Sequence, residues 1–383
     1  MSVELINFGC RLNLAEGEAM RAALDGAEDD LILINSCAVT AEAERQARQA
    51  IRRAARARPD ARILVAGCGA EIGAFDELPN VERFSRPQFA APAVSGVGHA
   101  RAFVEVQNGC DHDCTFCVTT LARGASRSIP AETVVDAVAA CVARGQHEVV
   151  LTGVDLTDYR PSLGLLVERI LKDVPALPRL RLSSLDSVEI DPLLEEIITG
   201  EPRLMPHLHL SLQSGDDLIL KRMKRRHSRG QAVALVERLK AKRAEIVIGA
   251  DLIAGFPTED DTMFANSLSL LADCEIVFAH IFPYSPRPGT AAARMPQVGR
   301  TIAKERAARL RERAEARKSV WLSGLIGTRQ RVLIERDGET GHAENFAPVR
   351  LEGVPPNRDM RGAMIDVTVS SMADSRLRVE PCA

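Results

Sequence analysis

The sequence predicts an α/β protein built in three parts: an N-terminal parallel α/β domain over residues 1–90, a partial (βα)6 barrel over 101–322, and a small C-terminal β-barrel over 324–383. Three observations predict it. A short apolar strand pattern ending in cysteine occurs three times in the first 80 residues. Six further strand patterns then alternate with helical ones. From 324 onward the texture changes to short alternating segments (RQRVLIER, MIDVTVSS, RLRVEP) between turns containing glycine and proline. Alternating strands and helices imply a parallel sheet. Short alternating strands with frequent turns imply a small barrel or sandwich.

The first unit reads VELINFGC, DLILINSC and ARILVAGC, ending at Cys10, Cys37 and Cys68. A helical stretch, 14–25, separates the first two. AEAERQARQAIRRAARA separates the others, with Ala43, Ala47, Ala50, Ile51 and Ala54 at helical spacing. Ligands collect beyond the carboxyl ends of parallel strands, and all three cysteines sit there. Residues 77–100, rich in Pro, Gly, Ala and Ser, read as a linker. Strand candidates follow at 102–107, 148–152, 179–184, 207–212, 246–252 and 277–282. Six βα units are too few for an eight-fold barrel, so an open one is expected, with its active face at the strand C-termini. Residues 300–322 form a charged helix, with eight basic residues against Glu305, Glu312 and Glu315.

Composition narrows the function. A net charge of −3 gives no global drive toward nucleic acid or membrane. Aromatic residues are 4%, which argues against a large aromatic stacking platform for RNA. No run approaches the ~20 apolar residues of a membrane span, and the N-terminus lacks the features of a secretory signal. A cytoplasmic location with reduced thiols is expected. Nine cysteines then point to metal or redox chemistry. Of these, Cys141, Cys274 and Cys382 read as structural. Of 49 basic residues 42 are arginine. Arg45, Arg48, Arg52 and Arg56 form one helical stripe. That stripe, the run KRMKRRHSR at 221–229 and helix 300–318 read as candidate phosphate contacts.

The strongest chemical signal is VQNGCDHDCTFCVTT, with Cys110, Cys114 and Cys117 immediately after the first barrel strand. Three thiolates on one loop can hold three irons of a [4Fe–4S] cluster and leave the fourth open. A structural zinc site wants four ligands, and His112 is poorly placed to be the fourth. Cys10, Cys37 and Cys68 form a second candidate triad. From spacing alone, three small buried hydrophobes are as consistent.

The loop, with Phe116 just before its last cysteine, resembles the signature of radical S-adenosylmethionine (SAM) enzymes. GCRLNLAEGEAM, INSCAVT and VAGC resemble the N-terminal domain of the radical SAM methylthiotransferases. LARGASRS, LTGVDL, RLSSLDS, HLHLSLQSGDDLILKRMKRR, DLIAGFPTEDD and FPYSPRPGTAAARM follow in that family's order. The β-rich tail is similar to its RNA-binding TRAM domain. LTGVDL and the HLHLSLQSG region look most like the MtaB branch, which methylthiolates N6-threonylcarbamoyladenosine at position 37 of tRNA. Three features depart from the pattern: a shorter linker before residue 101, Thr258 where a glycine is typical, and Ser211 where a proline is common.

The resemblance implies two [4Fe–4S] clusters, one on Cys110, Cys114 and Cys117 for SAM cleavage, one on Cys10, Cys37 and Cys68 carrying the sulfur. The radical released from SAM would activate C2–H of the modified adenine. Phe116, Gly153, Asp155, Ser183, Ser184, Gln213, Ser214, Arg225, Asp251 and Gly255 are the expected SAM pocket. Expected partners are the tRNA anticodon stem-loop, an unidentified electron donor and a sulfur source, acting on a monomer with no membrane contact. Arg123 and Arg127, in an exposed loop, are candidates to pair with the threonylcarbamoyl carboxylate. Isopentenyladenosine-37, used by the sister MiaB branch, and a ribosomal-protein aspartate remain alternative substrates. A non-catalytic iron–sulfur RNA-binding protein or electron carrier is the alternative from outside the family; it would not need the SAM-pocket motifs.

Overall fold

The computed structural model describes residues 3–26, 29–85, 92–95, 100–335, 337–352 and 359–382. The N-terminal unit runs β1 (Glu4–Asn7), α1 (Arg11–Ala23), β2 (Leu31–Ser36), α2 (Ala41–Ala57), β3 (Arg62–Ala66), α3 (Gly67–Glu71) and β4 (Val81–Arg83). The four strands pair in parallel in that order. Every residue of β2 is buried, as expected of a strand covered on both faces. Thr40 caps α2 by accepting from Ala43 N, and Ala47, Ala50, Ile51 and Ala54 turn inward. β4 lies in the stretch read as linker. So does β5 (Val94–Ser95), which pairs antiparallel with the first barrel strand. These strands of three and two residues are too short to leave an alternating pattern.

The central unit continues with β6 (Arg101–Glu105), β7 (Gln107–Asn108), α4 (Thr119–Arg123), β8 (Arg127–Ser128), α5 (Ala131–Ala143), β9 (Glu148–Thr152), α6 (Leu163–Asp173), β10 (Arg179–Leu182), α7 (Pro192–Gly200), β11 (His207–Gln213), α8 (Asp217–Arg222), α9 (Arg229–Lys242), β12 (Val247–Ala254), α10 (Asp261–Asp273), β13 (Ile276–Pro283) and α11 (Arg300–Ser323). Six parallel strands form the expected open barrel. They fall into two sheets, β10-β9-β6-β5 and β11-β12-β13, linked through a bridge between Leu185 and Leu210. One set of alternate strand residues (Val104, Leu151, Leu182, Leu210, Ala250) joins the helices in a single core that includes Cys141 and Cys274. The opposite set includes Glu148, Arg179, Arg181, His207, His209, Asp251 and His280. The barrel interior is therefore polar.

The C-terminal unit is a closed barrel of β14 (Arg329–Ile334), β15 (Thr340–Ala343), β16 (Pro348–Leu351), β17 (Met364–Ala373) and β18 (Arg376–Pro381), in the order β14-β15-β16-β18-β17. Closure removes free strand edges. It is docked firmly rather than loosely appended. Arg179 Nη2 donates to Arg331 O at 2.7 Å. Arg181 donates to the carbonyls of Glu344 (3.0 Å) and Ala343 (2.9 Å). Phe346 stacks on His207, ring centroids 4.6 Å apart. Behind this seam Glu148 is wholly buried between Arg101 (2.7 Å), Arg181 (2.9 Å) and Arg179 (3.7 Å). Burial pushes its carboxyl up, but the three guanidiniums outweigh burial and hold it at about 2. Leu322, at the end of α11, belongs to the core of this last barrel. Among the described residues no helix is long and apolar enough to cross a membrane.

Candidate active site

The loop bearing Cys110, Cys114 and Cys117 is tied at its base by the β7–β8 pair. Gly109 has φ +76°, and a Cβ there would lie 1.9 Å from Ala125 O, so only glycine lets the loop turn. Backbone amides point at the sulfurs: His112 N donates to Cys110 Sγ and Thr119 N to Cys117 Sγ, both at 3.4 Å. Burial pushes the Cys110 thiol up to about 12. Burial also raises Cys114, against which the Arg225 guanidinium works from 3.6 Å. Metal loading must therefore displace thiol protons. Cys110, His112 and Asp155 bring their donor atoms within 4.8 Å of one another. His112, however, is already held by Asp155 (3.1 Å) and Glu189 (3.3 Å), and Arg226 contacts it too.

The barrel rim divides the other expected residues. Arg225 Nη2 donates to Asp186 (2.7 Å) and Ser211 O (2.9 Å), while its Nε is buried without a partner among the described residues. The hydroxyls of Ser183, Ser187 and Tyr284 are buried and partnerless in the same way. The orphaned Nε of Arg225, beside Cys114, fits a polar ligand. Phe116 packs edge-on against Phe256 at 6.3 Å, and Ser184 is half-buried. Gln213 lies at φ +64°, where the β11–β12 register shifts.

Four of the expected residues also make contacts within the protein. Gly153 makes room for Gln107, whose Oε1 would meet a Cβ at 2.9 Å and accepts from Val154 N and Asp155 N. Ser214 accepts from Asp216 N and faces Ser267, 3.4 Å away, so it fixes the start of α8. Gly255, at φ +71°, lets α11 approach: a Cβ would stand 2.3 Å from that of Ala303. Asp251 lies within the barrel, between His209 (3.0 Å) and His280 (3.2 Å). Burial raises its carboxyl, but the two imidazoles outweigh burial and hold it below the usual carboxylate range.

The second triad is real in space. Asn13 Oδ1 lies 3.9 Å from Cys10 Sγ and 4.0 Å from Cys68 Sγ. A Cβ on Gly9 would touch Cys37 Cβ at 2.9 Å and its sulfur at 3.2 Å. Burial pushes the Cys37 thiol to about 11. Arg123, expected in an exposed loop, is instead buried here. Its Nε donates to Cys68 Sγ at 3.0 Å. Its Nη1 and Nη2 grip Glu16 at 2.9 and 3.0 Å and reach Asn108 (3.0 Å) and Asn13 (2.5 Å). Because α4 starts two residues after Cys117 and ends on Cys68, one five-residue helix ties the two triads together. Arg127 stays exposed, donating to the carbonyls of Arg123 and Ala125.

Comparison with known proteins now bears on this arrangement. Residues 104–271 match the Radical SAM superfamily, and residues 2–83 match the uncharacterized protein family UPF0004. A Rickettsia prowazekii protein named threonylcarbamoyladenosine tRNA methylthiotransferase MtaB is 44% identical over 91% of both chains. A Sorangium cellulosum tRNA-2-methylthio-N(6)-dimethylallyladenosine synthase is 33% identical, covering 88% of this chain and 82% of that one. The chain belongs to the radical SAM methylthiotransferase family. Membership implies a [4Fe–4S] cluster and SAM. The fold is also like that of the radical SAM methyltransferase TsrM from Kitasatospora setae, with a TM-score of 0.55, 13% identity, and 76% of this chain and 77% of that one covered.

For a methylthiotransferase, the basic run 221–229 is less of a phosphate patch than its sequence suggests. Folding sets Lys224 on Asp113, Arg225 on Asp186, Arg226 on Glu189 and Arg229 on Asp273. On α2, Arg45 pairs with Glu42, and Arg48 with Glu44 and Glu77. The sequence reading missed Asn13, Glu16, Asn108, Asp186, Glu189 and Tyr284. The signal for the first two was their placement one turn apart just after Cys10; the others come from separate elements and leave no local pattern.

Proposed function

We propose that this chain transfers a methylthio group to C2 of N6-threonylcarbamoyladenosine at position 37 of tRNA. The observation that carries the reading is the pairing of two three-thiol sites, each one ligand short of a cube, on either side of α4. One such site suffices for radical generation; a second, held against it, suits a sulfur carrier. The MtaB relative favours the threonylcarbamoyl substrate, and the dimethylallyladenosine synthases supply the rival.

The residues divide the work. Cys110, Cys114 and Cys117 would hold the cluster that, with SAM, supplies the 5′-deoxyadenosyl radical when bound. Arg225 places a guanidinium beside Cys114, and Ser183 and Tyr284 offer unsatisfied hydroxyls to SAM. Cys10, Cys37 and Cys68 would hold the second cluster, with Arg123 Nε donating to Cys68 Sγ. The C-terminal barrel is the candidate RNA-binding surface, and cytoplasmic tRNA the partner. A base in a single-stranded loop enters such a site without melting a duplex. The test is mass spectrometry of tRNA nucleosides from cells with and without this gene. Loss of 2-methylthio-threonylcarbamoyladenosine on deletion supports the proposal; an unchanged level of it refutes the proposal.

A further inference from the structure

Arg11 follows Cys10 directly and opens α1. Both side chains are exposed. The Arg11 guanidinium stands 5.7 Å from the ring centre of Phe103 and 5.7 Å from that of Phe346, one from the central barrel and one from the C-terminal barrel. Among the described residues it makes no hydrogen bond and no ion pair. The nearby acids are already engaged: Glu148 by Arg101, Arg179 and Arg181, Glu335 by Arg101, and Glu344 by Arg179. Four guanidiniums thus face three carboxylates, and the cation left over is Arg11.

A cation without a counter-ion, flanked by two aromatic rings, is free to take an anion. We infer that Arg11 binds the carboxylate of the threonylcarbamoyl group and so selects this substrate. The inference rests on the substrate reading above. Adenine chemistry supports the placement. C2 and C6 both adjoin N1, so a substituent on N6 hangs one ring atom away from the carbon that receives sulfur. The residue that reads the substituent must then neighbour the sulfur carrier, and Arg11 is the neighbour of Cys10. Rings at the guanidinium leave its N–H edge for a bidentate carboxylate. A dimethylallyl group, being apolar, would gain nothing from it.

The test uses cluster-loaded enzyme and three anticodon stem-loops, with position 37 carrying threonylcarbamoyl, its methyl ester, or no modification. Binding is read by anaerobic fluorescence anisotropy, with KM and kcat measured separately and iron content checked. Wild type is expected to bind the acid about 10- to 100-fold more tightly than the ester, the range of a charge-assisted pair. Arg11→Gln should erase that preference and raise KM for the acid, and Arg11→Lys should keep part of it. A full preference in both variants overturns the inference. So does an equal loss for all three RNAs, which would mark a phosphate contact, or no preference in wild type. A wild type that prefers the acid over the ester yet forms no 2-methylthio product on it would instead sink the substrate reading itself.

Discussion

Replacing Arg123 with methionine tests the joint between the two triads. Its side chain is 2% exposed and grips a Glu16 side chain that is 0% exposed. Removing one partner of such a pair leaves a buried charge uncompensated and costs about 3–5 kcal/mol. The loss acts on α1 and α4, so it should appear as local opening. At 1.4 kcal/mol per factor of ten, amides of α1 and α4 should exchange on the order of 10²- to 10³-fold faster. Hydrogen exchange read by mass spectrometry resolves both helices. Replacing both partners, Arg123→Met with Glu16→Leu, should recover most of the protection, because an apolar pair can replace an ionic one with little loss. The double variant should still load the second cluster poorly, since Cys68 loses its guanidinium. Exchange within tenfold of wild type in Arg123→Met, or a double variant no better protected than the single, would refute the reasoning.

Three further outcomes follow from the same contacts. Glu148 sits at about 2, below its unfolded value near 4.5, so it adds stability fully above pH 4.5 and loses it as pH falls toward 2. Trp321, stacked edge-on against Phe278 at 5.6 Å, should report the loosening seam by fluorescence in that window. Emission of wild type and Glu148→Gln that is indistinguishable there would refute the role. Thr258 is β-branched at φ +68°, a strained conformation, so Thr258→Gly should stabilise by about 1 kcal/mol in urea unfolding; a lower midpoint counts against it. Replacing Cys110, Cys114 and Cys117 with alanine should remove about half the reconstituted iron, and loss of all or none contradicts two separate sites.

Strand and helix order was legible because burial alternates with the right period in long elements. Strands β9 and β12 are nearly continuous apolar runs, and α2 shows its stripe of alanines. What was not legible has physical causes. A cysteine triad on one loop is local, so Cys110, Cys114 and Cys117 could be read directly. Gly153, Ser214 and Gly255 share a rim position with the other site candidates and also make room for Gln107, α8 and α11, and no sequence period separates a packing glycine from a binding one. Arg123 and the 221–229 run looked exposed because their acids lie far away in sequence. The tail's alternation marks a small barrel but not where that barrel docks. Its dock on Arg179 and Arg181 joins residues more than 150 apart, so cutting the chain near Leu322 would strand buried cations.

The most direct test of the central claim is an anaerobic turnover assay on two tRNA pools, one carrying threonylcarbamoyl and one carrying isopentenyl at adenosine 37. Reconstituted enzyme, SAM and a reductant are supplied, and nucleosides are read by mass spectrometry. The account predicts 2-methylthio product mainly on the threonylcarbamoyl pool, with 5′-deoxyadenosine formed alongside. Product mainly on the isopentenyl pool would contradict the substrate assignment, and no product on either pool would contradict the enzyme's proposed action on tRNA.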